Sequence, residues 1–310
     1  MVGPTGSGKS ALALALAERF DGEIVNCDSL QVYRWFDIGS AKLPEAERGG
    51  IPHHLIDILD PDSVFTAGEY ARLAGEAIAG VTARGRLPIV AGGTGFYLRA
   101  LLDGLFPGPG RDQTLRDRLA AREARRRGSL HRLLTRFDPE TAGRVHANDI
   151  PKVTRALEIR LLARRPASEL FREGRSPLRG YAQLKLGLLP EREALHARLD
   201  ARCRSMFEGG LVEEARRILD MGYAPSIKPF ESLGYRQALQ LIQGELNLRE
   251  AIFYAQRTTR QYAKRQITWF RREAGLEWLR GFGESPSIRD AAMARVEAFL
   301  AERAGPPAAR

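Results

Sequence analysis

The sequence predicts an α/β protein: a phosphate-loop, NTPase-like parallel sheet with helices on both faces, plus an inserted all-helical domain. Three observations carry this. Short apolar runs such as "GEIVNCD" and "LPIVAGG" alternate with amphipathic helical stretches, the mark of a parallel sheet covered on both sides. The run "GPTGSGKS", Gly3 to Ser10, completes the pattern G-x-x-x-x-G-K-[ST] and opens straight into "ALALALAERF", as a phosphate loop opens a helix. From Arg111 to Arg179 the chain is Arg-rich and helical in period, with 18 basic and 9 acidic side chains.

The elements follow in order. After the loop helix, "GEIVNCD" is a short buried strand ending at Asp28, and "HHLIDIL" is another. "TAGEYARLAGEAIAGVTARG" is a helix: Thr66 and Glu69 form a capping box, Tyr70, Ala74, Ala77, Ile78 and Val81 recur at helical spacing, and Gly85 stops it. "LPIVAGG" is a third strand and "TGFYLRALLDGL" a further helix. "FPGPGRD" is a break. "TLRDRLAAREARRRG", "SLHRLLTRF" and "IPKVTRALEIRLLARR" are the helices of the insertion, and "REGRSPLRG" closes it. "LKLGLLP" returns as a strand of the first domain. Helices follow to the end, notably "RTTRQYAKRQITWFRR", and the tail "ERAGPPAAR" frays. The domains are therefore 1–110, first part of the core; 111–179, the basic insertion; and 180–310, the return strand and C-terminal helices.

One element is short. A phosphate loop is ordinarily held by a central strand of about 5–6 residues, and only Met1 and Val2 precede Gly3. The expectation is a natural start further upstream, with an apolar run reading into Val2.

Bulk properties exclude several classes. With 310 residues, 44% of them hydrophobic, the chain sustains a sizeable core. Its apolar stretches break well short of a membrane span, and "ALALALAERF" lacks the basic region that would precede it in a signal peptide. Cys27 and Cys203 are far apart, which argues against a disulfide framework or a zinc site. His53 and His54 are adjacent, so in a strand they face opposite sides, which disfavours a metal role. A cytoplasmic monomer is expected. Of the net charge of +10, the insertion holds +9. A localised basic field attracts polyanions; a solvated Arg-rich surface is the plain alternative.

The loop, Asp28 and Thr94 all fall beyond the carboxyl ends of strands, where parallel sheets bind ligands. Loop amides and the helix dipole would hold linked phosphates. Lys9 would reach the terminal pair and Ser10 a magnesium ion. Asp28 reads equally as a base or as a magnesium-supporting carboxylate. The amide of Gln31 could pair with an adenine. "GGTG", which carries Thr94, reads by itself as a tight strand-to-helix turn. In the last basic stretch Tyr262, Trp269 and Phe270 alternate with Arg and Lys, suiting phosphate contact and base stacking. Trp269 and Phe270 are expected inward, Lys264 and Arg271 outward.

"GPTGSGKS", "NCDSLQVYRWFDIGSAK", "PHHLIDILDP", "IVAGGTGFYLRALLDGL", "IPKVTRALEI", "ESLGYRQAL" and "RTTRQYAKRQITWFRR" resemble, in that order, the tRNA dimethylallyltransferases (tRNA isopentenyltransferases), from Gly3 to about Arg272. No Cys/His finger follows, so the bacterial form is the better match. The resemblance implies transfer of a dimethylallyl group from dimethylallyl diphosphate to the exocyclic amine of the adenosine just 3′ of the anticodon (position 37). Magnesium (Mg2+) is the implied cofactor and the tRNA anticodon stem-loop the implied partner. Gly3, Pro4, Thr5, Gly6, Ser7, Gly8, Lys9 and Ser10 would bind the diphosphate, with Ser10 on the metal. Asp28 would take a proton from the amine. Ser29, Leu30 and Gln31 would line the base pocket, and Thr94 would hold the amine or a phosphate oxygen. The resemblance further assigns tRNA contacts to Arg116, to Pro151, Lys152, Val153, Thr154 and Arg155, to Glu231, Ser232, Leu233, Gly234, Tyr235 and Arg236, and to Lys264, Arg265, Gln266, Ile267, Thr268, Trp269, Phe270 and Arg271. A small-molecule phosphotransferase on the same loop, a prenyltransferase of free adenine nucleotides and a non-catalytic RNA binder are the alternatives. The first two leave the basic insertion unused, and the last leaves the loop, Asp28 and Thr94 unused.

Overall fold

Helix α1 (Lys9–Arg19) buries Leu12, Ala13, Leu16 and Ala17, one stripe of an otherwise accessible helix. Then come β1 (Gly22–Asn26), β2 (His53–His54), α2 (Ala67–Ala83), β3 (Leu87–Ala91) and α3 (Gly95–Leu102). Five helices follow: α4 (Gln113–Arg125), α5 (Ser129–Phe137), α6 (Pro139–Arg144), α7 (Ile150–Leu162) and α8 (Ala167–Arg172). The chain returns through β4 (Lys185–Leu188) to α9 (Arg192–Glu208), α10 (Leu211–Asp220), α11 (Tyr235–Ile242), α12 (Leu248–Phe270), β5 (Leu276–Leu279) and α13 (Pro286–Ala304). This computed structural model describes Met1–Phe106 and Gly108–Ala304. Of the tail expected to fray, residues 302–304 are the last turn of α13, and 305–310 lie outside the described residues. Two compact units result: Met1–Leu101 together with the chain from Gly180 onward, and Leu102–Arg179.

In the first unit every strand pairing is parallel. β1 lies between β2 and β3, with Ile24 opposite both His53 and Ile89. β4 pairs with β5, Leu186 opposite Glu277. Met1 and Val2 occupy the place between β3 and β4. The Met1 amino group donates to Val90 O at 2.6 Å, and Gly92 N–H returns to Met1 O. On the other side Val2 N–H donates to Leu186 O and Leu188 N–H to Val2 O, each at 2.9 Å. Two residues thus stand where a phosphate loop ordinarily has a whole strand.

Side chains alternate across β1. Ile24 packs with Leu12, Leu16, Leu188, Ile288 and Val296, the face that α1 and α13 cover. Glu23 points the other way and meets Arg84 at the end of α2. The capping box of α2 is present in full: Glu69 N–H donates to Thr66 Oγ1, and Thr66 N–H to Glu69 Oε2 at 2.9 Å.

Three expectations need correction. "HHLIDIL" is a strand only at His53–His54, because Leu55 (φ +63°) and Asp57 (φ +56°) turn left-handed. The Asn26 side-chain amide holds that turn by donating to Leu55 O at 2.9 Å. Strand β1 ends at Asn26, two residues before Asp28, because Asn26 Oδ1 takes the Asp28 N–H. Helices do not run uninterrupted to the end: β5 intervenes. Its four residues include an exposed Glu277, too short and too mixed to announce a strand.

The second unit closes on Leu119, Leu130, Leu134, Val153, Leu157 and Ile159. Three aspartates start its helices: Asp112 accepts from Leu115 N–H, Asp138 from Thr141 N–H and Asp149 from Lys152 N–H. Each satisfies a donor that the first turn leaves free. The short helices α6 and α8 carry too few turns to show a period in sequence.

Candidate active site

The phosphate loop enters α1 through Gly8, the helix N-cap, whose left-handed backbone (φ +84°) suits glycine. Lys9 Nζ folds back to Pro4 O at 2.7 Å. Burial pulls the Lys9 ammonium down to about 8, against the upward pull of Asp28. Ser10 is exposed in the first turn.

Asp28 lies just past β1. Its Oδ1 accepts from Leu30 N–H at 2.9 Å and from Gln31 N–H at 3.4 Å. Both bonds fall on one oxygen, which fixes the carboxylate and leaves Oδ2 for other work. Thr94 stands beside it: Thr94 N–H donates to Cys27 O, and Thr94 Oγ1 accepts from Ser29 N–H at 3.0 Å. The glycines around Thr94 are places of close approach. A Cβ on Gly92 would sit 2.1 Å from Cys27 O, and one on Gly95 would sit 2.2 Å from the Trp269 ring. "GGTG" is therefore a tight turn and also the seat of a second loop.

A cavity of about 330 Å³ is lined by Thr5 of the loop, by Asp28, Ser29 and Leu30, and by Arg202 and Arg265. Arg202, on α9, escaped the reading of the sequence. Burial lowers its pKa, and Asp28 opposes that shift, so a guanidinium and a carboxylate share the chamber. One arginine in an Arg-rich helix carries no local signal; only the fold brings it to Asp28. Glu231, Ser232, Leu233 and Gly234 also border the cavity.

Several residues assigned to RNA by resemblance lie elsewhere. Tyr235 is fully buried; it donates to Glu214 and accepts from Gly39 N–H. Phe270 and Val153 are core residues, held there by helical spacing, and present no side chain to a ligand. Gln266 is also buried. Ile267 packs with Leu195 and Leu199. Gln31 Nε2 donates to Ser40 O at 3.2 Å and to Ala41 O at 3.5 Å, so both of its amide protons are taken by backbone carbonyls and neither is left for bidentate adenine pairing. Exposed in their place are Lys264, Arg265, Thr268, Arg271 and Arg236. Trp269, expected inward, is half-buried, with Arg99 stacked over its ring at 4.6 Å.

In the second unit Arg116 and Arg155 converge on Glu158, which is 0% exposed. Asp112 N–H adds a bond to Glu158 Oε1 at 2.8 Å. Pro151 stands in the first turn of α7, Thr154 is half-buried, and Lys152 pairs with Asp149.

At the loop the exposed Ser10 hydroxyl is an oxygen donor of the kind magnesium takes. No group of three or more His, Cys, Asp or Glu side chains able to hold a metal occurs among the described residues. This donor set fits an ion that takes most of its oxygens from phosphate and water.

Thr5 of the glycine loop, the Asp28 carboxylate just past β1 and the Arg202 guanidinium line one chamber, the arrangement of a transferase. The sequence model of the IPP transferase family matches residues 31–273, and the chain belongs to that family. It is 71% identical to a tRNA dimethylallyltransferase of Solibacter usitatus over 97% of this chain and 98% of that one. It is 53% identical to another of Koribacter versatilis, over 94% and 95%. Among solved structures it resembles the tRNA isopentenylpyrophosphate transferase of Staphylococcus epidermidis, with TM-score 0.69 and 34% identity over 97% of both chains. It also resembles a eukaryotic dimethylallyltransferase described as acting on tRNA, with TM-score 0.82 and 29% identity over 97% of this chain and 78% of that one.

Proposed function

We propose that the protein transfers the dimethylallyl group of dimethylallyl diphosphate to the exocyclic amine of the tRNA adenosine 3′-adjacent to the anticodon, releasing diphosphate. The observation that carries this reading is the single chamber shared by Thr5 of the phosphate loop, Asp28 and Arg202. An adenine amine is a weak nucleophile, because its lone pair is spread into the ring. The reaction therefore needs charge neutralised on the leaving side and a proton removed on the attacking side.

The chain's own groups divide that work. Loop amides, Lys9 and Arg202 hold the diphosphate. The amine nitrogen forms a bond to the allylic carbon as the carbon–oxygen bond to the diphosphate breaks, and the surplus amine proton passes to Asp28 Oδ2. Thr94 holds the amine. Ser10 would carry the magnesium ion, which supplies further charge neutralisation on the phosphate oxygens when bound. The base must leave its stack to enter the chamber. Exposed Lys264, Arg265 and Arg271 on α12, and the basic insertion, suit the RNA around it. On this reading the enzyme acts as a monomer in the cytoplasm, where its tRNA substrate is.

The test is product analysis with labelled dimethylallyl diphosphate, tRNA and magnesium. Label in the adenosine beside the anticodon supports the reading. Phosphate transfer from a nucleoside triphosphate, or labelling of free adenine nucleotides alone, would replace it with one of the alternatives.

A further inference from the structure

Gln266 sits in the stretch that the resemblance gives to tRNA, yet its side chain turns the other way. It is 5% exposed. Its Oε1 accepts the Thr5 N–H at 2.8 Å, and its Nε2 donates to Gly93 O at 2.9 Å. Thr5 belongs to the phosphate loop, and Gly93 immediately precedes Thr94. A Cβ on Gly93 would lie 2.3 Å from Gln266 Nε2, so the glycine is what admits the amide. One side chain thus bridges the loop expected to hold the diphosphate and the turn expected to hold the amine.

The bridge needs an acceptor at one end and a donor at the other, on a side chain of this length. Glutamine meets both demands. Lysine and arginine only donate. An ionised glutamate only accepts, and would set an oxygen against the Gly93 carbonyl. Asparagine is one methylene short.

We propose that Gln266 is a positioning residue that fixes the phosphate loop and the Thr94 turn at one spacing, and that it is not an RNA contact. The inference rests on the prenyl-transfer reading. Its physical reason is that the allylic carbon and the amine must meet within a narrow range of distance, where a displacement of about 1 Å costs on the order of 100-fold in rate.

The experiment compares wild type, Gln266→Met and Gln266→Glu in steady-state turnover of dimethylallyl diphosphate with an anticodon stem-loop RNA. RNA affinity is titrated separately, and melting temperatures check the fold. Gln266→Met should lose about 10–100-fold in kcat with RNA affinity unchanged. Gln266→Glu should be impaired at pH 8 and recover relative to wild type as pH falls toward 5.5. A protonated carboxyl matches the amide in shape, accepts from Thr5 and donates to Gly93. Titrations common to both proteins cancel in the ratio. Should Gln266→Met not fold, the pH series on Gln266→Glu, which keeps the volume, carries the test. Loss of RNA affinity with kcat preserved would make Gln266 an RNA contact and overturn the proposal. A flat variant-to-wild-type ratio across pH would overturn it too. A wild-type enzyme inactive on both substrates would instead remove the transferase reading, and the inference with it.

Discussion

Arg116 grips Glu158 through two parallel hydrogen bonds, Nε to Oε1 and Nη2 to Oε2, both 2.8 Å long, and Arg155 adds a third at 2.6 Å from one turn earlier on α7. Burial alone would raise the Glu158 carboxyl, but the two guanidinium groups and the Asp112 amide outweigh it and hold it down at about 2. Removing the carboxylate strands two cations. Glu158→Ala should therefore destabilise the second unit by about 3 kcal/mol, read by urea unfolding. An unfolding midpoint equal to wild type would show that the cluster is not structural.

The outer faces of the same two arginines remain accessible. Arg155→Ala should weaken RNA binding and lower the steepness of its salt dependence, because fewer counterions are released. Diphosphate binding should be untouched. Equal loss of both ligands would place Arg155 at the phosphate site.

Asp28→Asn keeps an oxygen in the Oδ1 position, so the bonds from Leu30 and Gln31 survive. The fold and RNA affinity should hold while turnover falls about 10²–10⁴-fold, the usual contribution of a general base. Near-normal turnover would remove Asp28 from the mechanism.

Lys9 titrates near 8 because burial disfavours its charge. A diphosphate anion prefers the protonated form. Affinity of the free enzyme for the diphosphate should therefore be full below that value and decline as pH rises through it. Calorimetric titration between pH 6.5 and 9.5 reads this directly. Lys9→Met should bind weakly and show no such decline; a decline that persists belongs to another group.

Glu23 is held at about 2, first by the Arg84 hydrogen bond and then by His54, against the opposing effect of burial. Its folded value lies below the unfolded 4.5. The stabilisation is complete above pH 4.5 and is lost as pH falls toward 2. Arg84 is half in solvent, its side chain 51% exposed, so solvent screening keeps the effect small. Glu23→Gln should flatten the stability profile between pH 5 and 3 relative to wild type. An unchanged acid slope would assign it to other carboxylates.

What the sequence made legible was local. The glycine loop, the Thr66–Glu69 box and the return strand at Lys185–Leu188 each declare themselves within ten residues or so. Arg202 and Gln266 did not, because their partners are distant in sequence and chosen by the fold. For Gln266 one signal existed. Ala263, Gln266 and Phe270 are buried at helical spacing on α12, which sets the glutamine on the inward stripe instead of the basic one. The "HHLIDIL" run misled because its apolar residues serve a left-handed turn and a bridge from Leu59 to Tyr33, a use of apolar residues that periodicity does not register.

The central claim is that the chamber between the phosphate loop and Asp28 joins an allylic diphosphate to a tRNA adenine. Its most direct measurement is the fate of label from [¹⁴C]dimethylallyl diphosphate after incubation with tRNA and magnesium, nuclease digestion and nucleoside chromatography. The account predicts one labelled nucleoside, an adenosine alkylated on its exocyclic amine, from the position 3′ of the anticodon, with one diphosphate released per label. No label in tRNA, or label only in free adenine nucleotides, would contradict it.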